Sequence, residues 1–364
     1  MQLLPSLPLL AATLTAVVAH PGHAPPSAAE LEATRAFKRS THQRYSHCAS
    51  TSSIQRRHAL HSQTRRQQLL SDLRTQLRRN SSDYFSTVLG TDHQSNRTDL
   101  TSSNATTSTV FASNSSSACV LQPEVTIGPY WVSGELLRSN VTDGQPGVPL
   151  YLDVQFVNVD TCQPVPELFW EIWSCNSTGV YSGVSAAGNG NSDDTSNLNA
   201  TFSRGVQQTD SNGASQFTTI FPGHYTGRAT HIHVVAHANA TLLSNNTLSG
   251  GGADGAIHIG QLFFDQDLIS QVEALQPYST NTQNLTLNAD DSIFAEEASS
   301  QGSDPVVEYV LLGDSVQDGV FAWTTIAVDV GAEYTTQAAA SWTDDGGVAN
   351  ESSQGQGPGG APPS

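Results

Sequence analysis

Residues 221–235 bring together side chains that could hold a metal ion. His231 and His233 are separated by one residue in a strand-like run, and Tyr225 and Arg228 lie just upstream. Because residues i and i+2 of a β-strand point to the same face, both imidazoles can reach one space. The pair therefore predicts a two-nitrogen metal half-site, although a hydrogen-bonded strand face would explain the tripeptide equally well.

Two tyrosines extend this donor set. Tyr181 follows a run that carries Trp170 and Trp173, and Tyr225 lies in the turn before His231. A single tyrosine is more often a packing residue, but two phenols beside two imidazoles form a recognisable ligand set. Phenolate is a hard anionic donor, so the set favours a small trivalent cation, and ferric iron fits it best. Zinc would prefer cysteine, histidine or carboxylate ligands.

The elements that must position these residues read as β-strands. Short apolar or alternating runs occur at 148–159, 168–175, 216–221, 230–236, 257–264, 306–312 and 320–330. The first of them alternates with a period of two, as expected for one buried sheet face. Seven strands over this length predict an all-β fold, a β-sandwich with long loops, with one short helix near 267–275.

Composition divides the chain into five segments. Residues 1–19 are apolar and end in small residues, which is typical of a cleaved signal peptide and too short for a membrane span. We expect 20–79 to be a basic helical arm or pro-segment, 80–117 a Ser/Thr/Asn-rich linker, 118–333 the folded domain and 334–364 a disordered tail. Eleven Asn-x-Ser/Thr sequons agree with an extracellular glycoprotein.

The charge of the chain is divided between a basic N-terminal part and an acidic remainder. Of the 15 Lys and Arg residues, only Arg138, Arg204 and Arg228 follow Cys119, and the formal net charge is −18. The acidic part argues against binding to nucleic acid. Residues 54–79 predict a basic helix, either in a pro-segment with dibasic cleavage sites or in an arm that packs on the acidic core.

Four cysteines allow two disulfides in an oxidising compartment. The runs that carry Cys162 and Cys175 place these two residues at opposite ends of neighbouring strands, so we do not expect them to pair. The expected pairs are Cys119 with Cys175 and Cys48 with Cys162.

From about residue 119 to 267 the sequence resembles the intradiol ring-cleavage dioxygenases, non-haem ferric enzymes that cleave catechols between the two hydroxylated carbons. The resemblance rests on Gly-Pro-Tyr-Trp at 128–131, Thr-Asp-Ser-Asn-Gly at 209–213, Pro-Gly-His-Tyr at 222–225, Gly-Arg-Ala-Thr-His-Ile-His at 227–233 and Gly-Gln-Leu-Phe-Phe-Asp-Gln-Asp at 260–267. The signal peptide and the arm around Cys48 resemble a secreted fungal branch of that family.

The resemblance implies a β-sandwich of the intradiol dioxygenase type that holds one Fe(III) per chain. Tyr181 and His231 would be the equatorial protein ligands, and Tyr225 and His233 the axial ones. Tyr225 would also act as a base toward the catechol. The implied substrates are O2 and a small aromatic diol, and the implied product is a cis,cis-muconate.

The resemblance also assigns residues around the metal. Arg228 would face the substrate ring, and Gln261 would support the site from a neighbouring strand. Tyr130, Trp131 and Trp173 would line the substrate pocket, with Trp131 at a position where many relatives carry tyrosine. A homodimer is compatible with the family, but residues 20–117 hold no evident match to the helical dimerisation segment of catechol enzymes.

Three other functions fit parts of the sequence. A secreted metal-binding or aromatic-binding protein could keep the fold without oxygenase activity. A glycosylated surface protein would use the same tyrosines and histidines for structure. The acidic pair Asp193-Asp194 would suit a hydrolase, but it lies in an Asn/Gly/Ser-rich stretch that favours a turn. For His224, His237 and His258 we expect surface or packing roles.

Overall fold

The computed structural model describes residues 128–350 except 187, 192–193, 239, 250–253, 299–303, 337 and 344. It also describes residues 92–95 and the N-terminal positions 29, 32, 36, 40, 41 and 43–45. The predicted signal peptide, the predicted helix over 54–79 and most of the predicted linker lie outside the described residues.

Strands make up most of the regular structure between residues 128 and 350. In chain order they are β1 (Val132–Ser133), β2 (Pro149–Asn158), β3 (Phe169–Trp173), β4 (Arg204–Gln208), β5 (Ala214–Ile220), β6 (His231–His237), β7 (Thr241–Leu242), β8 (Leu248–Ser249), β9 (Asp254–Phe263), β10 (Glu308–Leu311), β11 (Val320–Val328), β12 (Tyr334–Thr335), β13 (Ala340–Thr343) and β14 (Gly346–Ala349). The α-helices of this region are α1 (Gln266–Glu273) and α2 (Ser292–Glu297), and short 3-10 turns occur at Thr195–Asn199, Tyr278–Thr280, Asn288–Asp290 and Val316–Asp318.

Two sheets enclose the main core. One has the order β10-β11-β2-β5, and the other has the order β12-β9-β6-β3-β4. Alternate residues of β2, from Leu150 to Phe156, meet Ile232 and Val234 of β6 in one buried apolar cluster. Burial of these side chains is the main force that joins the two sheets. The prediction of an all-β sandwich is confirmed.

The outer face of the five-stranded sheet carries the polar residues of interest. Because Ile232 and Val234 point into the core, His231 and His233 point to the opposite face. The strand register places Arg204, Trp173, His233 and Gln261 side by side across β4, β3, β6 and β9. A second buried cluster covers this face; it contains Tyr130, Trp131, Val132, Tyr181, Tyr225 and Ala340.

All seven predicted strands occur within a few residues of their expected positions, and the helix expected near 267–275 is α1. Other elements were missed, among them β4 and the C-terminal strands. Strand β4 has the sequence Arg-Gly-Val-Gln-Gln, which shows no apolar alternation. The prediction of a disordered tail is wrong for residues 334–350, where β12, β13 and β14 form. Strand β13 pairs with β1 and β14, and Ala340 is completely buried.

Some of the described N-terminal residues contact the acidic domain, whereas the helix for which a packed arm was one alternative lies outside the described residues. The Arg44 guanidinium donates to Asp160 over 2.7 Å and also pairs with Asp329. Gln94 forms a parallel bridge with Tyr309 at the free edge of β10. The neighbouring His93 is buried between Asp265 and Asp304. Arg44 of the expected arm and His93 of the expected linker therefore meet acidic residues of the sandwich.

The structure corrects one cysteine pairing. Cys175 is buried as a free thiol, with its Sγ 3.2 Å from the Gly223 carbonyl oxygen, so the pair with Cys119 is wrong. Cys162 is disulfide-bonded. Its pairing with Cys48 stays a prediction because Cys48 lies outside the described residues. Among the helices of the described residues, none has the length and apolar character that a membrane span requires.

Candidate active site

Four buried side chains from two loops and one strand converge on the outer face of the five-stranded sheet. Tyr181, Tyr225, His231 and His233 are each at most 2 % exposed. The centroids of the two imidazoles are 4.7 Å apart, and those of the two phenol rings are 5.3 Å apart. The Tyr225 Oη lies 3.5 Å from the His231 Nε2. The structure thus brings together all four residues that the sequence nominated as ligands.

The two imidazoles present their Nε2 atoms to each other. The His231 Nδ1 donates to the Ala229 carbonyl oxygen over 2.6 Å, which leaves a lone pair on its Nε2. This Nε2 lies 3.1 Å from the His233 Nε2. The Trp173 indole stacks on the His233 ring at 4.5 Å and an interplanar angle of 7°. Strand geometry and the stacked indole therefore hold both Nε2 atoms toward one point.

The two tyrosines are neutral phenols in this environment. Burial, followed by the neighbouring Tyr225 hydroxyl, raises the pKa of Tyr181 well above its ordinary value. Burial also raises the pKa of Tyr225, while the Arg228 guanidinium acts in the opposite direction. The Tyr181 Oη is buried without a hydrogen-bond partner among the described residues. A nearby multivalent cation would reverse these shifts by stabilising the phenolates.

The donor set fits a ferric ion. The Nε2 atoms of the two imidazoles face each other at 3.1 Å, and the buried Tyr181 phenol oxygen lacks a partner among the described residues. Such groups are costly to bury unless something satisfies them. A hard cation that accepts two imidazoles and two phenolates would do so.

Arg228 is fixed beside these donors. Its side chain is completely buried, its Nη2 donates to the Gln261 Oε1, and its Nε donates to the Asp291 Oδ2 over 2.9 Å. The same carboxylate oxygen accepts the Ala229 backbone N–H over 2.7 Å. Burial alone would raise the pKa of Asp291, but Arg228 and backbone N–H groups hold it below its ordinary value. Arg228 and Asp291 therefore form a buried ion pair.

Asp291 is a site residue that sequence reasoning missed. Its Oδ1 accepts the backbone N–H groups of Ile293 and Phe294, so it also caps the N-terminus of α2. The only local signal was an aspartate directly before a short run that begins Ser-Ile-Phe. That signal marks a helix start and gives no indication of the contact with Arg228.

The three predicted pocket residues occupy different places. Tyr130 stacks on Tyr181 at 4.7 Å and meets Tyr225 edge-on at 6.0 Å, so it lies against the donor cluster. Trp173 lies behind His233 as a support for the imidazole. The Trp131 Nε1 instead donates to the Glu171 Oε1 over 2.8 Å.

The three histidines for which surface or packing roles were expected, His224, His237 and His258, are buried. The His224 Nδ1 lies 2.8 Å from the Glu273 Oε1, and the His237 Nε2 lies 2.7 Å from the Glu171 Oε1. Burial lowers the pKa of His258 to about 3, so this imidazole is neutral between the sheets. All three have the packing roles expected and none lies at the surface.

The acidic pair proposed for a hydrolase is only half described. Asp194 accepts the Ser196 backbone N–H over 3.0 Å and caps a 3-10 turn, which agrees with the turn interpretation. Asp193 lies outside the described residues.

A family comparison decides what this arrangement is. Residues 128–304, which include all four donors together with Arg228, Gln261 and Asp291, match the family model described as "Dioxygenase". This domain belongs to the intradiol ring-cleavage dioxygenase family. The chain is accordingly a ring-cleaving dioxygenase enzyme. Membership of a secreted fungal branch stays a prediction.

Several solved structures resemble this dioxygenase. The intradiol ring-cleavage dioxygenase from Tetranychus urticae is 29% identical, with a TM-score of 0.47, over 58% of this chain and 96% of that one. A hydroxyquinol 1,2-dioxygenase from Pseudomonas putida is 17% identical, with a TM-score of 0.37, over 60% and 68%. A catechol 1,2-dioxygenase from an Acinetobacter species is 22% identical, with a TM-score of 0.34, over 56% and 60%. No curated protein matches the sequence significantly.

Proposed function

We propose that this dioxygenase is an extracellular Fe(III) enzyme that uses O2 to cleave catechol-type rings between the two hydroxylated carbons, giving cis,cis-muconate-type products. The observation that carries the proposal is the pair of facing imidazole nitrogens, 3.1 Å apart, beside two buried phenols. Tyr181, Tyr225, His231 and His233 would hold the iron. When bound, ferric iron supplies a Lewis acid that ionises the catechol and makes its ring reactive toward O2.

Tyr225 is the base in this proposal. A catechol must lose two protons to bind through both oxygens, and a phenolate oxygen at the site can accept one of them. Tyr225 lies in a tight turn in which the Arg228 N–H meets the Tyr225 carbonyl oxygen at 3.4 Å. The turn contains Gly227 at φ +92°, and a Cβ at that residue would have open space around it. This tight turn holds the Tyr225 side chain, which is 2% exposed, against Tyr181 and His231.

Arg228 stabilises negative charge on the substrate ring. Charge develops on the ring carbons as they react with O2, and a guanidinium in a buried site interacts strongly with such charge. Because Asp291 and Gln261 already hold the side chain, little reorganisation is needed during the reaction. Arg228 is also the family arginine expected to face the ring.

The visible spectrum of the purified protein tests the metal site. We expect a phenolate-to-ferric charge-transfer band that shifts when catechol is added without oxygen. The double variant Tyr181→Phe with Tyr225→Phe should lose the band while keeping the fold. A protein that stays colourless after reconstitution with ferric iron would overturn the assignment.

Product analysis separates an oxygenase from a binding protein. With catechol and air, the enzyme should consume one O2 per ring and yield a muconate. A coloured protein whose spectrum shifts with catechol but which consumes no O2 would instead be a metal-binding and aromatic-binding protein of the same fold.

Secretion is supported by the apolar residues 1–19 and by the sequons. Asn140, Asn199, Asn245 and Asn284 are exposed, as a glycan would require. Expression with the native N-terminus should place glycosylated protein in the medium, with a mature N-terminus that follows about residue 19. Retention of the whole chain inside the cell would argue against an extracellular role.

A further inference from the structure

Three buried polar side chains surround the short segment that carries Tyr181. They are Asn189 and Asn197, from the Asn/Gly/Ser-rich loop that follows Tyr181, and Arg204 at the start of β4. Asn189 and Asn197 are each 5% exposed and Arg204 is 1% exposed. Fully or nearly buried asparagine and arginine are uncommon, and their polar groups need partners. Here the partners are backbone groups of the segment that carries a proposed iron ligand.

The two asparagines hold both polar groups of the Tyr181 peptide. The Tyr181 N–H donates to the Asn189 Oδ1 over 2.8 Å, and the Asn189 Nδ2 donates back to the Tyr181 carbonyl oxygen over 2.9 Å. The Asn197 Nδ2 donates to the same carbonyl oxygen over 2.6 Å and to the Val184 carbonyl oxygen over 2.7 Å. Tyr181 lies outside regular secondary structure, so these side chains take the place of strand pairing.

Arg204 extends these contacts to Ser182, the residue after Tyr181, and to Tyr130. Its Nε donates to the Ser182 carbonyl oxygen over 2.9 Å, and its Nη2 donates to the Tyr130 carbonyl oxygen over 2.6 Å. The Tyr130 ring stacks on the Tyr181 ring. The guanidinium also lies 3.5 Å from the Glu135 carboxyl group, whose pKa burial raises to about 7 while Arg204 acts in the opposite direction.

We propose that Asn189, Asn197 and Arg204 are positioning residues that fix the Tyr181 phenol at the metal site. The loop that the sequence presents as an ordinary polar turn is then part of the active site. An asparagine amide offers an acceptor and two donors in one plane, and a peptide group outside a sheet requires that combination. The consequence for catalysis rests on the proposed function, but the fixing of the ring does not.

The first test measures the ring without iron. The protein is labelled with 3-fluorotyrosine, and the Tyr181 fluorine resonance is identified by its loss in Tyr181→Phe. We expect one narrow Tyr181 resonance in the parent protein. Asn197→Asp keeps the side-chain shape but replaces the donating amide with a carboxylate that faces two carbonyl oxygens, so the resonance should shift and broaden.

A less disruptive substitution and a control substitution in the same loop complete this test. Asn189→Asp retains the acceptor and loses only the donor, and it should give a smaller change. Asn191 lies in the same loop, is half-buried and makes no hydrogen bond to Tyr181. The control variant Asn191→Ala should therefore leave the resonance unchanged. An unchanged Tyr181 resonance in a folded Asn197→Asp or Asn189→Asp protein would overturn the proposal.

The second test uses the iron-loaded protein. We expect Asn197→Asp to move the charge-transfer band and to lower turnover about tenfold or more, because small misplacements of reacting groups are costly. Arg204→Lys should retain more of the parent band than Arg204→Met, since the ammonium can still donate to one carbonyl. If the parent binds no iron, the proposed function fails while the fluorine result still decides the positioning role. An unmoved band in all the folded variants of Asn189, Asn197 and Arg204 would contradict that role.

Discussion

The Asp291 carboxylate holds the Arg228 guanidinium from a position 63 residues later in the chain. One carboxylate oxygen accepts the Arg228 Nε and the Ala229 backbone N–H, and the other caps α2. The ion pair is completely buried. Breaking one partner of such a pair leaves an uncompensated charge in the interior, so the position of Arg228 depends on Asp291.

Asp291→Asn should therefore impair catalysis while leaving the iron ligands in place. The amide preserves shape and one acceptor but removes the charge that orients Arg228. We expect turnover to fall on the order of 10- to 100-fold with the charge-transfer band retained. The neighbouring Asp290 is exposed, so Asp290→Asn is the matched control and should behave like the parent. Steady-state O2 consumption beside the visible spectrum measures both properties. Normal turnover in Asp291→Asn would contradict the orienting role.

Arg228→Ala should keep its iron and lose most turnover. The loss should be about 10²- to 10³-fold, the usual effect of removing one preorganised group that stabilises developing charge. Arg228→Lys should recover only part of it, because lysine cannot donate to Asp291 and Gln261 in the same fixed fork. Single-turnover measurements with preloaded catechol separate this effect from binding. If Arg228→Ala turns over normally, the electrostatic role is wrong.

His93 should make stability depend on pH. Burial alone would lower its pKa, but hydrogen bonds to Asp265 and Asp304 outweigh burial and raise it to about 9. A folded pKa above the ordinary value of 6.5 means that the stabilisation is fully present below pH 6.5 and is lost as pH rises through 9. A shift of this size corresponds to roughly 3 kcal/mol.

Thermal unfolding from pH 6 to pH 10 measures this contribution. His93→Gln should unfold at a lower temperature than the parent at pH 6, and the difference should shrink near pH 10. Arg44→Met removes the ion pairs to Asp160 and Asp329, and its effect should be constant over the same range because arginine stays charged. A pH-independent difference between the parent and His93→Gln would show that the charge of His93 does not matter.

Local patterns in the sequence predicted the sandwich and the four donors. Alternation in β2 and β6 is a two-residue period, so it shows which side chains share a face, and His231 and His233 follow from it directly. Strand β4 has only Val206 as a large apolar residue, and its remaining stability comes from its neighbours β3 and the 136–138 segment. Tertiary contacts, which no local window contains, decide such an element.

The residues that position Tyr181 and Arg228 could not be predicted from the sequence for the same reason. Asn189 and Asn197 have the composition of a surface loop, and only the fold reveals that their amides point inward at Tyr181. Asp291 could be recognised as a helix cap but not as the partner of Arg228. Candidate metal ligands can be recognised in a sequence from their residue types and spacing. The residues that position them can be recognised only from contacts between segments that are far apart in the sequence.

The C-terminal hairpin of β13 and β14 should be required for stability, in contrast to the expectation of a disordered tail. Ala340 pairs with Val132, and the Ala339 N–H donates to the Trp131 carbonyl oxygen over 2.8 Å. Gly347 lies so close to Leu198 that a Cβ there would come within 1.8 Å of the Leu198 carbonyl oxygen. The hairpin thus braces both β1 and the turn that carries Asn197.

Truncation after residue 333 removes the hairpin, whereas truncation after residue 350 keeps it and serves as the control. We expect the shorter protein to lose several degrees or more in Tm, because burial of Ala340 and its neighbours is lost from the cluster that covers the site. Gly347→Ala should reproduce part of this loss by steric conflict alone, and Gly331→Ala, which meets only a carboxylate oxygen at 3.4 Å, should not. Differential scanning calorimetry measures the four proteins against the parent. Equal Tm values for the two truncations would mean that β13 and β14 are dispensable, and the hairpin would then have no part in holding the site closed.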